Sequence, residues 1–173
     1  IFNAGVTYGG DLISSTAGTD NFVAGVNAGN SIVSGGSRNT LVGDEAGTAI
    51  TTSDDNTAFG YNALASDTNG FKSTALGKAA LATQNYSSGT DAFNVAVGFN
   101  SGNLLTTGVQ NTLIGSSSGD AITDADFNVA VGYNTLSTDT LGSRSVAIGY
   151  EALKTQNFTS ATNSYNTAVG FHA

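Results

Sequence analysis

Few side chains in this sequence could carry out nucleophilic or metal-assisted chemistry. The chain contains no cysteine and one histidine, His172, near its C-terminal end. A Ser-His-Asp triad would have to use His172, and a zinc site made of Cys and His is excluded by counting. We therefore interpret His172 as a surface residue and predict no metal site from these residue types.

Carboxylates are the remaining candidates for chemistry. Oxygen ligands of this kind bind Ca²⁺, and paired carboxylates can cleave glycosidic bonds. The spacing matches no calcium-binding loop, and no unusual pair interrupts the repeats described below. We therefore predict that the chain is not an enzyme, has no cofactor and presents solvated acidic loops, with a polysaccharide-degrading solenoid as the third functional alternative. The carboxylates expected in loops are Asp54, Asp55, Asp91, Asp124 and Asp126.

A five-residue unit recurs along the chain and must position all of these side chains. Asn or Ser opens the unit, three residues of mainly Thr, Val, Ala, Leu, Ile or Phe follow, and Gly closes it, as in 56–60 and 145–149. A looser copy lies at 21–25, and we interpret residues 1–5 as a truncated one. A fixed period of this kind indicates a repeat architecture.

The repeat has a second level. The unit glycines recur at a constant short interval, as from Gly60 to Gly77, but every fourth interval is longer, as from Gly77 to Gly98. The segment 83–86 (Thr-Gln-Asn-Tyr) returns at 155–158 (Thr-Gln-Asn-Phe). We predict a single repeat domain over 1–173, with 1–20 as a degenerate first coil and 21–101 and 102–173 as related four-coil blocks. Since the sequence begins with Ile and contains no Met, we expect an interior piece of a longer chain.

The unit is typical of a short β-strand. Its β-branched residues favour extended backbone, and the absence of proline suits strands whose N–H groups all bond to a neighbour. We predict an all-β fold, a parallel β-solenoid or β-roll of about ten short coils, with Asn side chains stacked as an amide ladder. Alternation places residues such as Val129 and Val131 on one strand face and Ala130 on the other. Because both faces are apolar, we expect one to be buried inside the coil and the other against a parallel copy of the chain.

Composition excludes several partners. Charged residues make up 10% of the chain, with 13 Asp and Glu against 5 Lys and Arg, and the net charge is −8. This balance lacks the basic patch that nucleic-acid binding needs, and no apolar run approaches the roughly 18 residues of a membrane helix. We therefore predict neither nucleic-acid binding nor membrane insertion.

The unit at 145–149 (Ser-Val-Ala-Ile-Gly) resembles the head repeats of trimeric autotransporter adhesins, and the phrase at 56–64 is similar to repeats of phage and bacterial tail-fibre-type proteins. The resemblance implies three parallel chains packed side by side. It also implies an extracellular location, on a virion tail fibre or a bacterial cell surface, and a role in adhesion. The alternative is a subunit of a homopolymeric extracellular filament.

Aromatic side chains are the candidate binding residues for a glycan or protein receptor. One group follows the repeat glycine and could stack on sugars, although packing over neighbouring coils or across a subunit contact is the preferred explanation; it comprises Tyr61, Phe99, Tyr133, Tyr150 and Phe171. A second group flanks the two long coils, at 82–93 and 154–165, where we expect local recognition; it comprises Tyr86, Phe93, Phe158 and Tyr165. The same loops carry glycosylation sequons at Asn85 and Asn157, which matter only in a lineage with N-glycosylation.

Overall fold

The computed structural model of the chain describes residues 16–173, so the expected first copy at 1–5 lies outside the described residues. Short strands alternate with turns and bends throughout this range. Four strands of two residues form two small sheets, in which β4 (Gly70–Phe71) pairs with β6 (Thr90–Asp91) and β10 (Gly142–Ser143) with β12 (Thr162–Asn163). The nine other strands form one sheet and are β1 (Phe22–Ala24), β2 (Thr40–Val42), β3 (Thr57–Phe59), β5 (Thr74–Leu76), β7 (Val95–Val97), β8 (Thr112–Ile114), β9 (Val129–Val131), β11 (Val146–Ile148) and β13 (Thr167–Val169).

All neighbours in the nine-stranded sheet are parallel and in the register of the repeat. Ala58 of β3 lies opposite Ala75 of β5, for example, and Ala130 of β9 opposite Ala147 of β11. Each turn of the chain therefore adds one strand to the same sheet. The predicted all-β parallel solenoid is confirmed, with one described turn for each strand of this sheet. At a strand spacing of about 4.8 Å, the sheet spans roughly 40 Å along the rod.

The middle residue of each strand of the nine-stranded sheet points into the coil, and in most coils its size complements that of the residue four positions after the repeat glycine. In the coil of β7 both are small, Ala96 and Gly102, and Leu81 and Leu113 of the neighbouring coils approach Gly102. Ala58 and Leu64 are both fully buried. Where the strand carries Leu41 instead, the later position is Gly47, and a Cβ added there would lie 2.8 Å from the Leu41 side chain. The later position therefore also points into the coil. Because interiors are close-packed, a large residue at one position requires a small residue at the other.

The buried leucines give a stability prediction. Leu136 is fully buried, whereas Leu104 is 48% exposed. We expect Leu136→Ala to lower the free energy of unfolding by about 2–5 kcal/mol, because it removes apolar contacts and leaves a cavity, and we expect Leu104→Ala to lower it by less than about 1 kcal/mol. Chemical denaturation of both variants at one protein concentration measures the difference. Equal losses for the two variants would contradict this packing.

The opening Asn residues form the predicted ladder along the buried side of the coils. Asn39 Oδ1 accepts a hydrogen bond from the backbone N–H of Asn56 at 3.0 Å, and Asn56 Nδ2 donates across its own coil to the Gly70 carbonyl at 2.8 Å. Each Asn side chain therefore bonds to the next coil through its oxygen and to the opposite side of its own coil through its nitrogen. The corner itself lies at the residue before each of these Asn residues, since Arg38 and Asp55 take the left-handed φ values of 58° and 63°.

The repeat glycine is required for two reasons at once. Gly60 has a φ of 140°, which disfavours any residue with a side chain. A Cβ added to Gly60 would also lie 2.5 Å from the carbonyl oxygen of Gly77 in the next coil. Successive glycines approach one another in this way along the rod, so the coils stack through bare backbone at this corner.

Candidate interaction surfaces

The outward side chains of the nine-stranded sheet form a largely apolar band, with Thr at five of the nine first strand positions, and we call this band the outer stripe. Its members are the first and third residues of each strand, since the middle residue points inward. Phe59 is 52% exposed, Leu76 44% and Ile148 38% in the single chain. An exposed apolar surface that runs along a whole element marks an interaction site more often than a polar surface does. One strand face is therefore buried inside the coil, as predicted, and the other is open.

The residues that directly follow the repeat glycine lie along one edge of the outer stripe and form the aromatic row. The ring of Tyr133 stacks on that of Tyr150 at 5.3 Å, and Tyr150 stacks on Phe171 at 4.9 Å. The ammonium group of Lys78 lies 5.8 Å from the Tyr61 ring and 5.6 Å from the Phe99 ring. The row thus places aromatic side chains above one another, partly exposed. It comprises Val26, Asp44, Tyr61, Lys78, Phe99, Ser116, Tyr133, Tyr150 and Phe171.

The residues just before the opening Asn or Ser lie along the other edge of the stripe and form the corner row. The guanidinium group of Arg144 lies 4.5 Å from the Phe127 ring and 5.9 Å from the Tyr165 ring. Phe93 and Tyr165, both expected from the sequence as binding residues, belong to this row and are 47% and 69% exposed. The row comprises Asp20, Arg38, Asp55, Lys72, Phe93, Gln110, Phe127, Arg144 and Tyr165, all with positive φ.

The two long coils contain a buried polar network that replaces a missing step of the Asn ladder. Ser73 stands where other coils have Asn, and Gln84 Nε2 donates to its hydroxyl at 3.0 Å and also to Asp67 Oδ2. Asn94 Nδ2 of the next coil donates to Gln84 Oε1 at 2.9 Å. The longer loop therefore places the side-chain amide of Gln84 where the other coils have the amide of the opening Asn.

The second long coil repeats this arrangement. Gln156 Nε2 donates to the Ser145 hydroxyl at 3.1 Å and to Asp139 Oδ2, and Asn166 Nδ2 donates to Gln156 Oε1 at 2.7 Å. The recurrence of the Gln was visible in the repeated segments 83–86 and 155–158, but the sequence indicated no role for it. The signal that could have revealed this role is the coincidence of the Gln and the Asp with Ser at the opening position.

Tyr86 is not the exposed binding residue that the sequence led us to expect. Its side chain is only 4% exposed, and its hydroxyl donates to the Gly108 carbonyl at 2.7 Å. Burial raises the pKa of this hydroxyl well above its ordinary value. Tyr86 therefore packs inside the coil and is not accessible to a ligand. Phe158, its counterpart in the second block, is half-buried.

The loop tips of the long coils consist of small residues. Ser87, Ser88 and Gly89 are exposed in the first loop, and 159–161 are exposed in the second. The sequon residues Asn85 and Asn157 are exposed too, and Asn85 Oδ1 accepts a hydrogen bond from the Thr68 hydroxyl at 2.8 Å. The structure thus brings the tips of both loops to the surface without bringing a large aromatic side chain to either tip.

The candidate chemical residues are dispersed or already paired. Asp55 Oδ1 lies 2.6 Å from Arg38 Nε, and Asp91 Oδ2 lies 2.7 Å from Lys72 Nζ. Asp91 ends strand β6 and is not in a loop as predicted. His172 Nδ1 lies 3.2 Å from Glu151 Oε2 at the exposed end of the rod. Over residues 16–173, no group of three His, Cys, Asp or Glu side chains is arranged to hold a metal ion.

Two further predicted loop carboxylates accept hydrogen bonds from the neighbouring coil. Asp124 Oδ1 accepts the Thr107 hydroxyl, and Asp126 Oδ1 accepts the backbone N–H of Val109 at 2.8 Å. These contacts tie one coil to the previous one. Both side chains therefore have a structural role within the stack.

Burial of Asp67 predicts a pH dependence of stability. Burial raises the pKa of this carboxyl above 3.8, although hydrogen bonds from Gln84 and the Gly70 N–H oppose the shift. The folded chain therefore binds this proton more tightly than the unfolded chain, so the Asp67 contribution to stability grows as pH falls through the folded pKa toward 3.8 and is lost as pH rises.

We expect Asp67→Asn to remove that contribution. The measurement is the free energy of unfolding of both proteins from neutral pH to about pH 3, taken as a difference so that other carboxyl groups cancel. As the solution is acidified, the free energy of unfolding of the original chain should rise relative to that of Asp67→Asn. A difference that is independent of pH, or that grows toward neutral pH, would contradict the expected shift.

The fold and these surfaces define a β-solenoid repeat protein with an apolar stripe along one side. The family model for the YadA head domain repeat matches the chain in two copies, over residues 57–71, 69–88 and 129–152. These segments are similar to that head-domain repeat, and the predicted resemblance is confirmed over them. No curated protein and no solved structure matches the chain. In the part of the chain that the structure describes, no helix has the length and apolar character needed to span a membrane.

Proposed function

We propose that this chain is the rod segment of an extracellular homotrimeric fibre that serves in adhesion. The observation that carries the proposal is the outer stripe, an apolar face that follows nine parallel strands and is open in the single chain. The similarity to YadA head repeats supports the adhesive part of the proposal, since such repeats are adhesin modules. A bacterial surface adhesin and a phage tail fibre both fit a rod of this kind.

A second copy of the same chain is the partner that best covers the stripe. The stripe repeats at the strand spacing along the rod, so its natural complement has the same period and the same direction. Three copies arranged around an axis parallel to the rod would bury three stripes against one another. Cyclic assembly with a closed interface also limits the complex to a defined size.

The loop tips at 87–89 and 159–161 are our candidates for contact with a receptor, one in each of the two proposed four-coil blocks. They protrude from a rigid stack, and loops held in this way commonly carry recognition. Their Ser and Thr hydroxyls and exposed backbone suit hydrogen bonding to a glycan or to a polar protein surface.

Binding of labelled protein to a glycan array and to intact cells tests this function. We expect the double variant Ser88→Arg and Ser160→Arg to lose at least about tenfold in affinity, which corresponds to about 1.4 kcal/mol, because the long side chains block both tips. Ser66→Arg places the same side chain at an exposed position away from the tips and should bind normally. Unchanged binding by the double variant would exclude the tips as the contact.

A further inference from the structure

The corner row and the aromatic row border the outer stripe on its two sides, and each coil contributes one residue to each row. In the coil of β8, for example, Gln110 precedes the opening Asn and Ser116 follows the glycine. The stripe lies between them. Any neighbouring chain that covers the stripe must therefore meet one or both rows.

Members of the two rows are too far apart to interact within one chain. The five-residue unit lies between them, and because its backbone is largely extended, the two Cα atoms are roughly 16–20 Å apart. The contacts of each row run along the row itself: Arg144 lies over Phe127 and Tyr165, and Tyr150 stacks on Tyr133 and Phe171. A match in residue type between the two rows of one coil is thus not explained by contacts inside the chain.

Such a match is present in most coils. Oppositely charged, aromatic, polar and cation–aromatic combinations occur at the same level, and each would be favourable if the two residues touched. The matched combinations, corner row first, are Arg38 with Asp44, Asp55 with Tyr61, Phe93 with Phe99, Gln110 with Ser116, Phe127 with Tyr133, Arg144 with Tyr150, and Tyr165 with Phe171.

We propose that the corner row of one chain packs against the aromatic row of the next chain, coil against the same coil, and that these contacts seal the edges of the stripe. The proposal rests on the proposed homotrimer and specifies its contacts. Rotation about an axis parallel to the rod brings one edge of a stripe to the opposite edge of its neighbour. Because a closed ring allows no translation along that axis, equivalent coils meet.

Departures from the match occur at two levels. Lys72 and Lys78 are like charges in the same coil, and Asp20 with Val26, in the first described coil, is also unmatched. A shift of one coil would place Phe93 against Ser116, which is a further unmatched level, but it would keep other favourable combinations. Arg38 would then lie against Tyr61, for example. The closed ring therefore fixes the register, and the residue types agree with it.

Engineered cysteines test this pairing cleanly, because the chain contains no cysteine. The variant Gln110→Cys with Ser116→Cys should form covalent trimers with a short bis-maleimide reagent, seen on a denaturing gel. The matched control, Gln110→Cys with Phe171→Cys, moves the second cysteine by three coils, about 14 Å along the rod, and should give far less covalent trimer because the short reagent cannot span this distance. Light scattering of each unreacted variant measures the assembled mass independently.

The outcomes separate the pairing from the trimer. A mass of three chains with covalent trimers only for the 110/116 variant supports the proposal. A mass of three chains with cross-links absent, or favoured by the 110/171 variant, overturns the pairing and leaves the trimer. A mass of two chains with covalent dimers at 110/116 supports the pairing and overturns the trimer, whereas a monomer overturns both.

Discussion

The double variant Leu76→Asp with Ile148→Asp is expected to convert the assembled protein into folded monomers. Both side chains point outward from the sheet and are 44% and 38% exposed in the single chain, so the coil interior is unaffected. In the trimer each substitution would place three carboxylates near the axis. Because burying an unpaired charge costs several kcal/mol, the two layers together should outweigh the apolar contacts between chains.

Light scattering and circular dichroism measure the two parts of this prediction. The mass should fall to that of one chain while the β-rich spectrum is retained. Ser66→Asp adds the same charge at an exposed site outside the stripe and should leave the mass unchanged. Persistence of the assembled mass in the double variant, or its loss in Ser66→Asp, would show that the stripe is not the interface.

The second large effect is expected at the repeat glycines. A Cβ at position 60 would meet the Gly77 carbonyl oxygen, and the Gly60 φ of 140° is strained for alanine. Gly60→Ala should therefore lower the free energy of unfolding by roughly 3–5 kcal/mol, the strained backbone and the close contact together. Separation of two coils at this corner would also break the hydrogen bonds of the flanking strands.

Gly170 provides a matched control for this prediction. Its φ is 143°, nearly that of Gly60, but a Cβ added there would have its nearest contact at 3.8 Å, the side chain of Ala173. Gly170→Ala should therefore show the conformational cost alone, about 1–3 kcal/mol. Chemical denaturation of the two variants gives the cost of coil-to-coil contact as their difference, and a difference near zero would contradict the role of close stacking.

Much of this fold could be predicted from the sequence because the repeat imposes it. A strand unit that returns at a fixed short interval, without proline, can satisfy its backbone only by pairing with the next copy, which fixes a parallel, in-register sheet. The alternation of strand faces and the Asn ladder followed from the same pattern. The location of the corner did not, because the left-handed residue before the opening Asn varies in type from coil to coil, from Arg38 to Asp55.

The candidate surfaces were less predictable than the fold. Alternation correctly separated the inner and outer faces of each strand, which led directly to the outer stripe. Tyr86 was misjudged because aromatic type alone does not distinguish an exposed ring from one that fills the interior of a long coil. The network of Asp67 and Gln84 was missed because it joins residues of different coils, and only the folded chain shows that Gln84 replaces the amide absent at Ser73.

The most direct test of the account is the molar mass of the protein in solution, measured by size-exclusion chromatography with light scattering over a range of concentrations. One chain has a mass of 17.3 kDa, and the proposed homotrimer predicts a single species with three times this mass. A stable monomer at all concentrations would contradict the claim that the outer stripe is a self-association surface. A mass that increases without limit would instead indicate an open filament.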